Sequence, residues 1–426
     1  MTAGKAPRTA EGTAQGTAQG TALGQGTALG QGSVRSGQAL VLASMTLYGM
    51  GQTVLYAILP VLGRDLGLAP MEIGLITALS ALMVFLCSAP WGRLSDRWGR
   101  RRVIVFGLLA YASTTLLFTG VLEAGRAGAV SGLSLLLGLI ALRMLFGIGT
   151  AGIQPAAAAY MADLSGEEKR TSAMALIGLG LGLGMVLGPA IAAALVSVDL
   201  LAPLYVTAAL TLVTAVAALT LRSPARLSTL ARPVAVGRAK REIVPFMILS
   251  FGSFLGLAVL QQTLSFLLQD RLRLPTVDAA ESVGLVLAGL AVAMIAVQAW
   301  VSRARTLDPL VLLRIGLSGY VAGFSILSFA GSMSTMVAAA LTLGVGMGLV
   351  GPSLLAAASL RASAEMQGEV AGMMSAMPPL AFIVGPLLGT ALYTLSPAVP
   401  FQALAAIAGG LAVISFLLPK GRAKHG

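Results

Sequence analysis

The charged residues of this sequence are few, and their placement limits the chemistry they can do. Gly92-Arg93-Leu94-Ser95-Asp96-Arg97-Trp98-Gly99-Arg100-Arg101-Arg102 holds six charges in eleven residues, between two long apolar runs. Asp96 is the one acid among five arginines, so it must be paired within or beside this stretch. Arg143 stands inside another apolar run, where an ionisable side chain is costly and therefore functional by default. Tyr48, Gln52 and Tyr56 recur every fourth residue and form one polar-aromatic stripe. Gln154, Gln261, Gln262 and Gln298 are further polar groups in apolar runs, and buried amides need partners. These residue types suit ion pairing, proton exchange and reversible contact with a small molecule. They do not suit covalent catalysis. The one histidine is His425 and the one cysteine is Cys87, which excludes an intramembrane histidine relay, an internal disulfide and a cysteine metal site. No glycine loop is followed by Lys and Ser/Thr, so ATP hydrolysis by this chain is excluded. Neither a metal nor a cofactor is expected, and the chain does not read as an enzyme.

The elements that position these residues are membrane-spanning helices. The chain is 57% hydrophobic and 10% charged, against about 25% charge in a soluble domain. A span needs about 20 apolar residues. Twelve such runs are present, near residues 38–60, 72–91, 103–122, 130–161, 172–197, 200–221, 243–268, 282–301, 309–330, 333–358, 369–393 and 399–419. The reading is an all-α polytopic membrane protein, with residues 38–221 and 243–420 as two six-helix bundles. Residues 1–37, rich in Gly, Thr, Ala and Gln, read as a disordered tail. Residues 222–242 carry two prolines and six basic residues and read as the linker, with 421–426 as a second tail. With both termini placed in the cytoplasm, 22 of the 28 basic residues fall on that side and four on the other, which supports this orientation. The net charge of +12 therefore reports orientation and not nucleic-acid binding.

The two bundles repeat one another. A shift of 197 residues carries Gly147 onto Gly344, Gly149 onto Gly346, Pro155 onto Pro352, Glu168 onto Glu365, Gly188 onto Gly385 and Pro189 onto Pro386. A shift of 210 carries Gly74-Leu75 onto Gly284-Leu285. Repeated halves rocking about a central site are the basis of alternating access.

The Gly92–Arg102 stretch, lying between the second and third helices, resembles the signature loop of the major facilitator superfamily. Arg143-Met144-Leu145-Phe146-Gly147-Ile148-Gly149-Thr150-Ala151 resembles that family's fourth-helix motif, with Phe146 where glutamine is frequent. Gly184-x-x-x-Gly188-Pro189 is similar to the fifth-helix motif of its drug:proton antiporters, with Ala192 and Ala193 in place of two glycines. The resemblance covers about residues 38–420. It implies the major facilitator fold, with twelve helices in two pseudo-symmetric halves, and proton-coupled efflux of small amphipathic compounds like that of tetracycline and multidrug exporters. It further implies a latch of Gly92, Asp96, Arg97, Gly99, Arg100 and Arg101, joined by Asp163, with Asp96 docking near Glu369 to Gly372. Proton coupling falls to Arg143 and Asp96. Packing hinges fall to Gly184, Gly188, Pro189, Gly385 and Pro386. Tyr48, Gln52, Tyr56, Gln154, Gln261 and Gln262 are candidates to line the substrate path. The expected setting is the inner membrane of a bacterium, as a monomer with protons and a small molecule as partners. Two alternatives stay open: export of a cell-made metabolite such as a sugar, amino acid derivative or opine-type metallophore, and a non-transporting receptor on the same fold. No Asp or Glu falls in the middle of any expected span, so a neutral or anionic substrate paired with Arg143 also stays open.

Overall fold

A computed structural model describes residues 31–165, 170–221, 243–303, 307–361 and 367–418. These form α1 (Gln31–Asp65), α2 (Pro70–Trp98), α3 (Arg100–Arg126), α4 (Gly132–Thr150), α5 (Ile153–Ser165), α6 (Arg170–Val196), α7 (Ala202–Ala218), α8 (Val244–Leu272), α9 (Thr276–Arg303), α10 (Pro309–Phe329), α11 (Met333–Ser359), α12 (Gln367–Ser375), α13 (Met377–Leu395) and α14 (Val399–Leu417). Eleven helical stretches are long and apolar enough to cross a membrane, and α7 is a shorter apolar helix. Exposed Leu133, Leu137, Val213 and Phe416 face outward, as lipid-facing residues do. The linker 222–242, the tail 421–426, Glu168 and Glu365 lie outside the described residues.

Several expectations need correction, each for a local reason. The fourth and eleventh spans are each broken in two. Pro155 has no amide to donate to the carbonyl of Ala151, and α4 stops at Thr150. Pro378 and Pro379 likewise leave the carbonyls of Met374 and Ser375 without partners, and the chain breaks at Ala376. The expected polar loop Gly92–Arg102 is almost wholly helical, because α2 and α3 both extend past their apolar runs. Only Gly99 interrupts them, at φ +98°, a value that favours glycine. Gly92 sits inside α2 and needs no such freedom. Residues 31–37, expected as part of the tail, are the first turns of α1. Proline in the first turn, where an amide has no partner to lose, marks the starts of α2, α7, α8, α10, α13 and α14.

Helices α1–α7 pack on one another, as do α8–α14, and the two groups meet through α6 on α9, α2 on α13, and α1 on α8 and α9. The repeat seen in the sequence is therefore a repeat of contacts. A Cβ on Gly147 would lie 2.5 Å from the carbonyl of Ser80 on α2. Gly344, 197 residues on, faces the carbonyl of Leu290 on α9, 210 residues beyond Ser80. Between the halves, a Cβ on Gly74 would lie 2.9 Å from the carbonyl of Pro386, and one on Gly284 would lie 2.6 Å from the carbonyl of Pro189. The two shifts converge on two equivalent seams, and the halves are related by pseudo-symmetry.

Both seams are tight at one end only. On α2 the buried residues run from Ile73 to Ser80, with Ser95 buried again against its own half, whereas Phe85, Leu86, Ala89 and Pro90 are exposed. On α9 they run from Ala279 to Met294, and the residues beyond are half-buried or exposed. Among the described residues, the close polar and backbone contacts between the halves lie toward the end where α1 stops, at Arg64.

α1 packs closely on α6 through glycine. A Cβ on Gly184 would lie 2.6 Å from the amide of Met50, while one on Gly182 would meet nothing within 4 Å. Gly184→Ala is expected to cost about 1–3 kcal/mol of overpacking, seen as a lower melting temperature in detergent, while Gly182→Ala leaves it unchanged.

Candidate functional site

Three polar sites are built from this scaffold. At the Asp96 end, Arg100 sits one residue past the Gly99 turn. Its guanidinium pairs with Asp96, donates to Ser95 Oγ at 2.9 Å, and reaches Asp163 Oδ2 of α5 at 3.3 Å. The structure thus brings Asp96, Arg100 and Asp163 together within the first half. Trp91 Nε1 donates to the carbonyl of Ile148 at 2.7 Å and fixes α2 on α4 beside them. The side chain of Glu369, expected near Asp96, lies outside the described residues. Arg97 is exposed and Arg101 half-buried.

The second site is Arg143, 6% exposed in the interior of the first half. Its guanidinium lies 4.1 Å from the Phe146 ring centre and 5.9 Å from that of Phe118. Phe146, the departure from the glutamine of the resemblance, therefore gives Arg143 a ring face instead of an amide oxygen. Among the described residues no carboxylate pairs with Arg143, and its Nε has no hydrogen-bond partner. A cavity beside it is lined by Gly51, Tyr111, Thr115 and Thr207 among others. Gly51 is required here: a Cβ would overlap the Tyr111 hydroxyl.

The candidate lining residues fall in different places. Tyr48 and Tyr56 are buried and Gln52 is half-buried. The Tyr56 ring reaches the second half, 6.2 Å from Phe382 of α13, and its carbonyl accepts from Ser265 Oγ at 3.3 Å. Gln262 is fully buried; its Oε1 accepts from Thr77 Oγ1 of α2 at 3.1 Å, and its Nε2 has no partner. Gln261 is buried on the same helix. Gln154 is exposed on α5, away from this group. Gly188 approaches α1 at Met50 and Thr53, Gly385 approaches α8 at Ala258, and Pro189 and Pro386 form the two seams already described.

The third site was not anticipated. Arg64, at the end of α1, donates through both terminal nitrogens to Asp270 of α8, at 2.7 and 3.1 Å. Asp270 also accepts from the Tyr393 hydroxyl of α13 at 2.6 Å. The guanidinium lies 4.5 Å from the Phe266 ring centre. Thr276 of α9 donates to Asp65 beside it. This clasp joins both halves across the closed end. The sequence did carry one signal for it: opposite charges at corresponding ends of the first helix of each half.

The family model described as Major Facilitator Superfamily matches residues 41–378. The chain belongs to the major facilitator superfamily. Among its relatives, multidrug resistance protein 1 of Bacillus subtilis (strain 168) is 26% identical over 383 residues, covering 88% of this chain and 94% of the relative. The class C tetracycline resistance protein of Escherichia coli is 28% identical over 397 residues, covering 85% and 91%. Among solved structures, a bacterial homologue of the human lysosomal transporter Spinster, inward-facing and occupied, superposes with a TM-score of 0.68 at 16% identity, covering 90% of this chain and 96% of that one. The nucleoside transporter NupG gives 0.69 at 13%, covering 91% and 98%. This superfamily member is a multi-pass membrane transporter and not an enzyme.

The clasp predicts a conformational effect. Asp270→Asn removes the charge from a partly exposed bidentate pair worth about 1 kcal/mol, roughly a fivefold change in the open-to-closed ratio. With Cys87→Ser as background and a single cysteine at Thr77, a water-soluble maleimide is expected to label the Asp270→Asn protein several-fold faster. Equal rates would show that the clasp does not hold this end shut.

Proposed function

We propose that this transporter expels small amphipathic compounds from the cytoplasm in exchange for protons, by alternating access between its two halves. The observation that carries the reading is the pair of equivalent glycine–proline seams. Gly284 on Pro189 and Gly74 on Pro386 allow close backbone contact between halves over small side chains, which suits surfaces that must separate and rejoin. The names of the relatives, a multidrug and a tetracycline resistance protein, favour drug-like substrates. The bias of basic residues favours the inner membrane of a bacterium with both termini inside, so the Asp96 end faces the cytoplasm. The described arrangement is then inward-facing, clasped on the outside by Arg64, Asp270 and Tyr393.

In this reading Tyr56, Gln262 and Thr77, just inside the clasp, form the inner surface of the outer gate. Tyr48, Gln52 and Gln261 extend the path toward the cytoplasm. The Asp96–Arg100–Asp163 group is the released half of a cytoplasmic latch, with Gly92, Gly99, Arg97 and Arg101 shaping it. Arg143 and Asp96 carry the coupling to protons. The 222–242 segment links the halves, and the monomer is the working unit.

Everted vesicles with an inside-acid gradient test this directly, since a substrate exchanged for protons dissipates the gradient. Dissipation by a lipophilic drug with the intact protein, and its loss with Arg143→Ala, are expected. If no drug-like compound dissipates it, drug:proton exchange is wrong, and metabolites retained by cells lacking the protein become the candidates.

A further inference from the structure

We propose that the cleft beside the clasp binds an organic ammonium ion, a protonated amine on an apolar body, which holds the Arg64 end closed. The cleft lies among the ends of α1, α3 and α6 and the start of α9. Its free volume is about 610 Å³, within the range of about 300–1,000 Å³ in which small molecules are bound. It shares no lining residue with the Arg143 cavity, and the substrate path proposed above runs elsewhere.

The lining selects the class of occupant. Asp199 fixes one wall: its Oδ1 accepts from the Leu201 amide at 2.7 Å, and its Oδ2 from Arg126 of α3 at 3.4 Å. Those two charges offset each other. Asp65 is different. Thr276 donates to its Oδ2, but a hydroxyl carries no charge, and Arg64 beside it is committed to Asp270. Among the described residues no cation pairs with Asp65. Leu62, Leu66, Val130, Val196, Leu200 and Val277 supply apolar surface around it. An unbalanced carboxylate beside an apolar wall fits a cation with an apolar body. A metal ion would need several free oxygens at once, and both oxygens of Asp199 are engaged. An anion would meet Asp65, with Arg126 already paired. Thr276 and Val277 belong to the second half and the other lining residues to the first. The occupant therefore bridges the halves, and its site is complete only while this end is closed. Binding shifts the population toward that arrangement, so the amine acts here as a brake on opening and not as cargo.

The test is calorimetric titration of the full-length protein in detergent with tryptamine, tryptophol and indoleacetate, which present one indole body with a positive, neutral or negative end. Tryptamine is expected to bind tighter than the other two. Asp65→Asn is expected to weaken tryptamine about fivefold, the loss of one partly exposed ion pair. Val198→Trp, at an exposed position of the lining, fills the cleft and is expected to abolish binding. Saturating tryptamine is expected to slow maleimide labelling of Thr77→Cys several-fold in the Cys87→Ser background. Equal affinity for the three compounds overturns the proposal. So does tryptamine binding that is unchanged in either variant, which would place the amine elsewhere. If Asp65→Asn does not fold, Val198→Trp and the comparison of the three compounds decide. Binding that leaves labelling unchanged contradicts the bridging role. Transport is not the readout, so failure of drug:proton exchange would leave this result standing, and the reverse holds too.

Discussion

The approach of one helix backbone to another through glycine is the constraint on which this structure depends. In lipid, apolar side chains gain little by meeting one another, so helices associate where small residues let backbones touch. On α6, Gly180, Gly184 and Gly188 bring the helix against α1. Gly147 and Gly344 do the same for α4 on α2 and α11 on α9. Between the halves, Gly74 and Gly284 do so for α2 on α13 and α9 on α6, beside the Arg64–Asp270 pair and the Thr77–Gln262 hydrogen bond. One packing rule thus holds each half together and joins the two.

Charge is distributed to match. The few charged groups within the described helices sit at the two ends, except Arg143 and Arg314. Arg314 lies under the Phe416 ring and donates to the carbonyl of Ser415, so its needs are met locally. At the closed end Arg64 is held by a carboxylate from the other half. At the Asp96 end Arg100 is held by carboxylates of its own half. The arginine of the clasp is thus tied between halves and Arg100 within one. Arg143 lies between these two ends.

Much of this was legible in the sequence because it depends on composition and spacing. Apolar runs located the spans, and the two shifts, 197 and 210, named residues that the fold places in equivalent contacts. The Asp96 stretch was legible as a charged site, but its shape was misread, because charge density suggested a loop where α2 and α3 run on as helices. The breaks at 151–152 and 376 come from prolines in otherwise continuous apolar runs, which periodicity alone passes over. The clasp was hidden for another reason. Arg64, Asp270 and Tyr393 come from three helices, and assigning Arg64 and Asp270 to loops beyond the spans removed them from view. Which residues line the substrate path was the least legible, since a glutamine in an apolar run reads alike whether it bonds a neighbour, as Gln262 does, or lies exposed, as Gln154 does.

Alternating access requires the two ends to open in opposition. Spin labels at Ala129 and Ser334 would report the distance between halves at the closed end, and labels at Arg102 and Ser302 the distance at the other, all in a Cys87→Ser background. Pulsed dipolar spectroscopy across a pH series should show the first distance lengthening as the second shortens, with the first short and the second long in the resting protein. Distances that lengthen together, or stay fixed while transport proceeds, would contradict rocking about these seams.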